Sequence, residues 1–376
     1  MPMDDLERTI RKRIASKGPM SFREFMDAAL YEPGQGYYTR PETEIGREGD
    51  FYTSPHAHRI FGVMMGRQAI EFWEQMGRPG SFDIVEYGAG RGWLCRDILD
   101  YLMGKDIYGC IRYTVIELNP AMAARQRELL SRHEGVVQWA DIPSNAGPVK
   151  GIILSNELID ALPVHLVEHG PDGWREVHIV LEGNELTEAL LPLSSDELGA
   201  YLEEYAPVRP EGMRTEVNLG TREWLKEVSD LLEEGFVLTI DYGYRASDYY
   251  DEERRRGTLL CYREHETTEN YLSYIGQQDI TAHVNFTDIR RQGEALGLRT
   301  LGWARQGIYL VSLGIDEAIV ELYGQNPEMG REAQMVHNLI MPGTMGDTHK
   351  VLMQYRGEGT PELRGFTMKN EKEKLA

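Results

Sequence analysis

Apolar residues recur every three or four positions in the first thirty residues, then in short unbroken bursts. Leu6, Ile10 and Ile14 repeat every four residues, which predicts a helix with one apolar stripe, ended by Gly18-Pro19. Ser21 stands three before Glu24, a capping box, and Phe22, Phe25, Met26 and Ala29 line one face of the next helix. From Tyr31 to Pro55 the chain is rich in Gly, Pro and Tyr and includes "GDFYTSP". Loops of this length are functional or disordered, and Phe51, Tyr52 and Thr53 weigh against disorder. A helical pattern from Ile60 to Met76 (Phe61, Met64, Met65, Ala69, Phe72, Trp73) completes a helical N-terminal cap expected to lean on a sheet.

The bursts that follow read as buried strands. Ile84-Val85 ends in Glu86. "YTVIEL" ends in Glu117, "VVQWADI" in Asp141, "GIILSNEL" in Asn156-Glu157, and "GFVLTIDYGY" in Asp241. Parallel sheets bind ligands at the carboxyl ends of their strands, so five polar endings in succession point to one shared crevice. Asn119-Pro120 supplies an N-cap and a first-turn proline for an intervening helix. Between Pro163 and Ser194 the pattern changes: Val177, Ile179 and Leu181 alternate with polar neighbours between turn signals, which predicts an inserted antiparallel meander. A helix around Thr221 to Leu232 returns to the main sheet. "RRRGTLLCY" offers a further strand, with Arg254 to Arg256 read as a solvated run. "DITAHVNFTDIRRQGEALGL" leads into a helix stopped by Gly297, and Arg299 to Gln306 and His349 to Tyr355 read as a late antiparallel pair. Beyond Arg364 the tail is polar and expected to fray.

Bulk properties narrow the class. The chain of 376 residues can bury at least one large core, and 41% hydrophobic with 27% charged residues is a globular composition. No apolar run approaches the ~18 residues of a membrane span. The opening "MPMDDLERTIRKRI" mixes acids with bases and lacks an apolar segment, so a cytoplasmic location is expected. Cys95, Cys110 and Cys261 lack paired spacing and read as free thiols. A net charge of −21 argues against a nucleic-acid partner and suits a basic peptide or an arginine-bearing protein, or serves solubility alone.

The chemistry centres on "VEYGAGRG". Gly88, Gly90 and Gly92 follow a strand and precede the amphipathic run Leu94, Ile98, Leu102. Such a turn lets a ligand lie against bare peptide, although a plain tight turn has the same pattern. A dinucleotide site would show G-x-G-x-x-G with an acid about 20 residues on. Here the spacing is G-x-G-x-G and the acid is Glu117, 31 positions after Glu86. No lysine follows as in a P-loop. A ligand with a ribose, an adenine and a zwitterionic amino-acid end fits better, and that ligand is S-adenosylmethionine.

With "VIELNP", "NELIDALPVH", "QQDITAHVNF", "GDFYTSP" and "DYGY", this stretch resembles the MidA-like S-adenosylmethionine-dependent methyltransferases, relatives of the mitochondrial complex I assembly factor that methylates an arginine on a core subunit. The similarity runs from about Gly18 to Tyr355. It implies an α/β fold with a Rossmann-like class I methyltransferase sheet, an N-terminal helical cap and an inserted antiparallel β lobe. The expected division is 1–80 for the cap and cofactor-covering loop, 81–163 and 220–356 for the core, 164–219 for the lobe, and 357–376 for the tail. Leu158 and Ile159 stand where family members often carry an aromatic pair, and His56-Ala57-His58 where they are usually acidic or polar.

On this reading Glu86, Gly88, Ala89, Gly90 and Gly92 hold the methionine end of the cofactor. Glu117, with Leu118, takes the ribose hydroxyls. Asp141 accepts from the adenine amino group while Ile142 packs the ring, and Asn156 completes the cofactor site. Tyr52 and Thr53 fold over the ligand, where an aromatic ring favours a sulfonium. Tyr87 and Trp93 are candidates for the same contact, with core packing the better reading of each. If a short helix starts at Glu157, then Glu157 and Asp160 share a face and grip an acceptor guanidinium as the catalytic pair. His56 and His58, or Asp279 and Thr281, are candidates for the acceptor side. His165, His178 and His283 lack ligand spacing, and no metal is required because the sulfonium is already activated. A small-molecule acceptor, or a noncatalytic cofactor-binding assembly factor, are the alternatives.

Overall fold

The computed structural model describes residues 5–41, 59–207, 209–324 and 330–376. Tyr52, Thr53, His56 and His58 lie outside them. The chain opens with α1 (Asp5–Lys17), β1 (Met20–Ser21) and α2 (Phe22–Tyr31). The capping box forms: the Ser21 hydroxyl accepts from the Glu24 N–H at 3.3 Å, and the Glu24 carboxylate accepts from the Ser21 N–H at 2.9 Å. Next come α3 (Ile60–Gln75), β2 (Phe82–Tyr87), α4 (Trp93–Leu102), β3 (Ile111–Ile116), α5 (Pro120–Leu129), β4 (Val137–Ala140) and β5 (Val149–Asn156). The inserted lobe holds β6 (His165–Gly170), β7 (Gly173–Glu182), β8 (Glu185–Leu191), α6 (Asp196–Tyr205) and β9 (Arg214–Val217). Then follow α7 (Gly220–Leu231), β10 (Leu232–Tyr244), β11 (Leu260–Arg263), β12 (Glu266–Thr268), β13 (Asp279–Thr281), β14 (Val284–Asn285), α8 (Phe286–Ala295), β15 (Arg299–Arg305) and β16 (His349–Arg356). The helices Gln306–Ser312, Ile315–Tyr323 and Gly330–Ile340, between β15 and β16, have no counterpart in the sequence reading.

The main sheet has the order β15-β16-β10-β5-β2-β3-β4, with β14 beside β10. The strands from β10 to β4 pair in parallel, and β16 runs antiparallel to both β10 and β15. From β2 the chain winds outward through β3 and β4, then returns to lay β5 on the other side of β2. That reversal opens a crevice above the β2–β5 boundary, where no crossover covers the strand ends. Ile84, Ile152, Leu238 and Val351 face α3 and α4 in one core layer, while Val85, Ile153 and Val237 face α7 and α8 in the other.

The cap differs from expectation. Only α3 packs on the main sheet. α1 and α2 cover the lobe, because β7 offers Val177 and Ile179 on one face and the helical stripes Leu6, Phe22, Phe25 and Met26 bury against them. β1 joins the lobe sheet, Met20 opposite Ile179.

The tail does not fray. Phe366 and Leu375 are buried. The Asn370 amide donates to Leu301 O at 2.9 Å and its oxygen accepts from the Trp303 N–H at 3.2 Å, while the Glu371 N–H donates to Trp303 O at 2.8 Å. Two apolar side chains and these bonds outweigh the polar composition. Cys95, Cys110 and Cys261 are free thiols. Among the described residues no helix is long and apolar enough to cross a membrane.

Burying one Phe or Leu side chain is worth roughly 1.5–3 kcal/mol. Deleting residues 364–376 is therefore expected to lower the urea-unfolding midpoint substantially. An unchanged midpoint would mean the tail contributes nothing.

Candidate active site

The crevice is a cavity of about 500 Å³. Its floor is Gly88, Ala89 and Gly90, where β2 breaks into α4. Gly88 and Gly90 have φ of 64° and 53°, in the left-handed region that only glycine enters cheaply. A Cβ on Gly88 would also stand 2.9 Å from Leu158 Cδ1. Glu117 and Leu118 form one wall, following β3, and Asn156, Glu157 and Leu158 form the opposite wall, following β5. Tyr31 and Tyr38 close it from the cap, stacked at 5.5 Å, and Trp224 and Glu227 close it from α7.

Buried acids crowd this edge, each held by neutral donors. Glu86 accepts from the Tyr113 hydroxyl at 2.6 Å, and burial pushes its pKa up to about 7. Glu117 accepts from the Asn119 N–H at 2.8 Å and the Gln126 amide at 2.9 Å; burial raises its pKa against those bonds. The same Gln126 nitrogen donates to Gly90 O at 2.6 Å, tying Glu117 to the glycine turn. Glu157 lies 3.5 Å from His349 Nε2 and accepts from the Asn156 amide at 3.3 Å. Asn156 Oδ1 is buried without a hydrogen-bond partner among the described residues.

Behind Glu157, residues 159–161 form a single 3-10 turn. Asp241 Oδ2 accepts from the N–H groups of Ile159 at 3.0 Å and Asp160 at 3.3 Å. The Asp160 carboxylate accepts from the Tyr242 hydroxyl. Burial, reinforced by Glu157, raises both acids, Asp160 to about 7, and the Asp160 carboxylate raises Asp241 further.

The structure brings Glu86, Gly88, Ala89, Gly90, Glu117, Leu118, Asn156 and Glu157 around one cavity. Six expected residues stand elsewhere. Gly92, at φ 85°, caps α4, and its Cβ position faces Gln126 at 3.3 Å, so its work is in the backbone. Asp141 and Ile142 are exposed just beyond β4, next to the lining residue Pro143; Asp141 accepts from the Asn145 amide at 2.8 Å, which with other hydrogen bonds holds its pKa down. Asp160 is buried behind the wall. It does not share a helix face with Glu157, because Glu157 has φ 52° and precedes the turn. Asp279 and Thr281 are also buried, with Asp279 accepting from the Tyr38 hydroxyl at 2.8 Å. Tyr87 and Trp93, expected in the core, line the cavity, Tyr87 while also packing there.

Residues 64–304 match the family described as "Putative S-adenosyl-L-methionine-dependent methyltransferase". The chain belongs to this methyltransferase family. A Burkholderia thailandensis protein bound to S-adenosyl-homocysteine superposes on this methyltransferase with a TM-score of 0.87 at 28% identity, covering 98% of this chain and 96% of its own. The curated relatives include protein arginine methyltransferase NDUFAF7, mitochondrial, from Xenopus tropicalis, 29% identical over 94% of this chain and 87% of its own. The Homo sapiens protein of that name is 26% identical over 92% of this chain and 82% of its own. These relatives are mitochondrial by name, which overturns the cytoplasmic expectation. A compartment is read by receptors from an address segment, and the composition of a folded body does not encode it.

The cavity of this methyltransferase fits S-adenosylmethionine on its own features. The left-handed glycine floor leaves space that a Cβ at Gly88 would fill, Asn156 Oδ1 has no partner among the described residues, and Glu117 retains free lone pairs. Sequence reasoning missed Tyr31, Tyr38 and Gln126. The tyrosines lie in a segment whose approach to the sheet is set by the lobe, and Gln126 reads as a helix surface residue until α5 is placed beside Gly90.

Gly88→Ala combines a left-handed alanine, costing ~1–2 kcal/mol, with a collision against Leu158. It is expected to weaken S-adenosylhomocysteine binding at least tenfold by calorimetry. Glu86 titrates near 4.5 when unfolded and near 7 when folded. The folded state thus keeps a proton that the unfolded state releases, so this group's stabilisation is full below about 4.5 and is lost as pH rises through about 7. Glu86→Gln should raise the melting temperature relative to the native protein more at about pH 8 than at about pH 5; an equal change at both would remove this assignment.

Proposed function

We propose that this methyltransferase modifies an arginine nitrogen of a protein, with Glu157 orienting the acceptor. The supporting observation is the Glu157 carboxylate on the cavity wall, beside the glycine floor and backed by Asp160 and Asp241. The names of the curated relatives point the same way.

In this reading the peptide of Gly88, Ala89 and Gly90, with Glu86 beneath, receives the amino-acid end of the cofactor. Asn156 Oδ1 offers an acceptor to its ammonium. Glu117 takes the ribose hydroxyls, Leu118 and Ile142 flank the adenine, and Asp141 stands at the rim for its amino group. Tyr31 and Tyr38, from the cap, place aromatic rings at the cavity, where they favour positive charge. When bound, S-adenosylmethionine would supply a sulfonium-activated methyl group, whose carbon an acceptor nitrogen would attack in line as the C–S bond breaks and S-adenosylhomocysteine leaves.

A guanidinium does not lose its proton beforehand, because its pKa lies above ~12. Glu157 would pair with two of its N–H groups and leave the third nitrogen to attack. Asp160 and Asp241 act behind it, as positioning residues that hold the turn. The proton would pass to Glu157 and, once His349 Nε2 closes from 3.5 Å to hydrogen-bond distance, on to His349, whose Nδ1 meets the hydroxyl of the exposed Thr348 at 3.0 Å.

Positioned acid–base groups contribute ~10²–10⁴-fold. Glu157→Gln is expected to keep cofactor affinity and lose at least a hundredfold in turnover, read as labelled methyl transfer into lysate proteins with methylarginine recovered on hydrolysis. Undiminished turnover would remove Glu157 from the reaction. Label confined to small metabolites would replace the protein acceptor with a small one.

A further inference from the structure

A second cleft, of about 440 Å³, lies between the lobe and the segment that leads into β11. It gathers Arg214, Arg254, Arg255, Arg256 and His283 in a protein whose net charge is −21. The three consecutive arginines read from sequence as a solvated run, and all of them line this cleft.

Two of the arginines are neutralised. Arg214 pairs with Glu188 at 2.5 Å and Glu168 at 3.1 Å, and Arg256 pairs with Glu269. The other two are not. Arg254 donates to Asp248 O at 2.6 Å and lies 4.0 Å over the Tyr244 ring, while Arg255 donates to Glu211 O at 3.0 Å. Their charges meet carbonyls and a ring face, with no carboxylate ion pair among the described residues. His283 adds a buried Nδ1 without a hydrogen-bond partner among those residues. Burial, with Lys350, Arg254 and His349 nearby, pushes its pKa down to about 4 and leaves the ring neutral.

The cleft also presents the half-buried Leu259 and Leu260 over a base of buried Leu166 and Tyr271, and its Glu168 and Glu269 would repel a compact polyanion. Spaced single carboxylates among apolar side chains match this lining better than a phosphate does. The cleft also backs onto the active-site wall: the His283 ring packs 5.1 Å from Tyr242, whose hydroxyl donates to Asp160.

We propose that this cleft docks an acidic, partly apolar segment of the protein acceptor, with Arg254 and Arg255 taking its carboxylates. The proposal rests on the reading that the acceptor is a protein. The attraction must be local, because charges separated by more than about 8 Å are screened at physiological ionic strength.

A fluorescent peptide of alternating glutamate and leucine tests it by anisotropy, with a glutamine–leucine peptide as control. The glutamate peptide should bind, and the control at least about tenfold more weakly, the loss expected when a charged hydrogen-bond partner is removed. Arg255→Glu, at a guanidinium with a single carbonyl contact, should weaken binding by a similar factor and keep S-adenosylhomocysteine affinity and melting temperature. Arg254→Gln/Arg255→Gln should weaken it further. Equal binding of the two peptides, unchanged affinity in Arg255→Glu, no binding at all, or displacement by inorganic phosphate would each overturn the docking site. No methyl transfer enters these readouts. Failed docking beside intact labelling of lysate proteins would remove the cleft alone, whereas label found only in small metabolites would remove the protein acceptor.

Discussion

One turn of chain, residues 159–161, is the point on which the structure converges. Its N–H groups donate to the Asp241 carboxylate of β10. Its carbonyls accept from Asn218 at the lobe's exit (3.0 Å), from the Ala282 N–H beside β13 (2.9 Å) and from the Tyr31 hydroxyl of α2 (3.0 Å). Main sheet, lobe, the three-stranded sheet β12-β11-β13 and cap are thus bonded to three consecutive residues. A buried carboxylate that accepts backbone N–H bonds is costly to replace, since each donor left behind would be buried and unsatisfied. The wall bearing Asn156 and Glu157 inherits its position from that arrangement.

The same economy explains the electrostatics of the cavity. Glu86, Glu117, Asp160 and Asp241 are buried or nearly so, and each is held by hydroxyl, amide or peptide donors. Neutral donors compensate desolvation only in part, so the pKa values rise. A cationic ligand entering such a pocket would favour the ionised carboxylates and pull those pKa values back down.

Much of this was legible in the sequence wherever local signals and tertiary demands agree. The glycine turn after Ile84-Val85, the polar strand endings Glu117 and Asn156-Glu157, the Ser21 capping box and the late antiparallel pair all arise from neighbours in the chain. The failures share a different cause. Glu157 and Asp160 fit a helical spacing of three, but Glu157 adopts a left-handed conformation, which a periodicity argument cannot see. Tyr31 and Tyr38 reach the cavity because α2 packs on β7, a contact between residues well over a hundred positions apart. Arg255 and Arg256 are exposed, as the run of charge implies, and what the sequence leaves out is only the cleft they line with Arg254 once the lobe stands opposite.

The docked tail has a consequence for how copies of this chain meet. β15 is an outer strand of the main sheet, and its free rim would otherwise offer a ladder of unpaired peptide groups to a neighbouring chain. Asn370 and Glu371 occupy that ladder at Leu301 and Trp303, while β4, at the opposite rim, is only four residues long. Strand addition, the first step toward fibrillar aggregation, is thereby obstructed at both rims. A fusion or cleavage that lifts residues 364–376 would uncover one of them while it weakens the fold, so that self-association through β15 would compete with the native state.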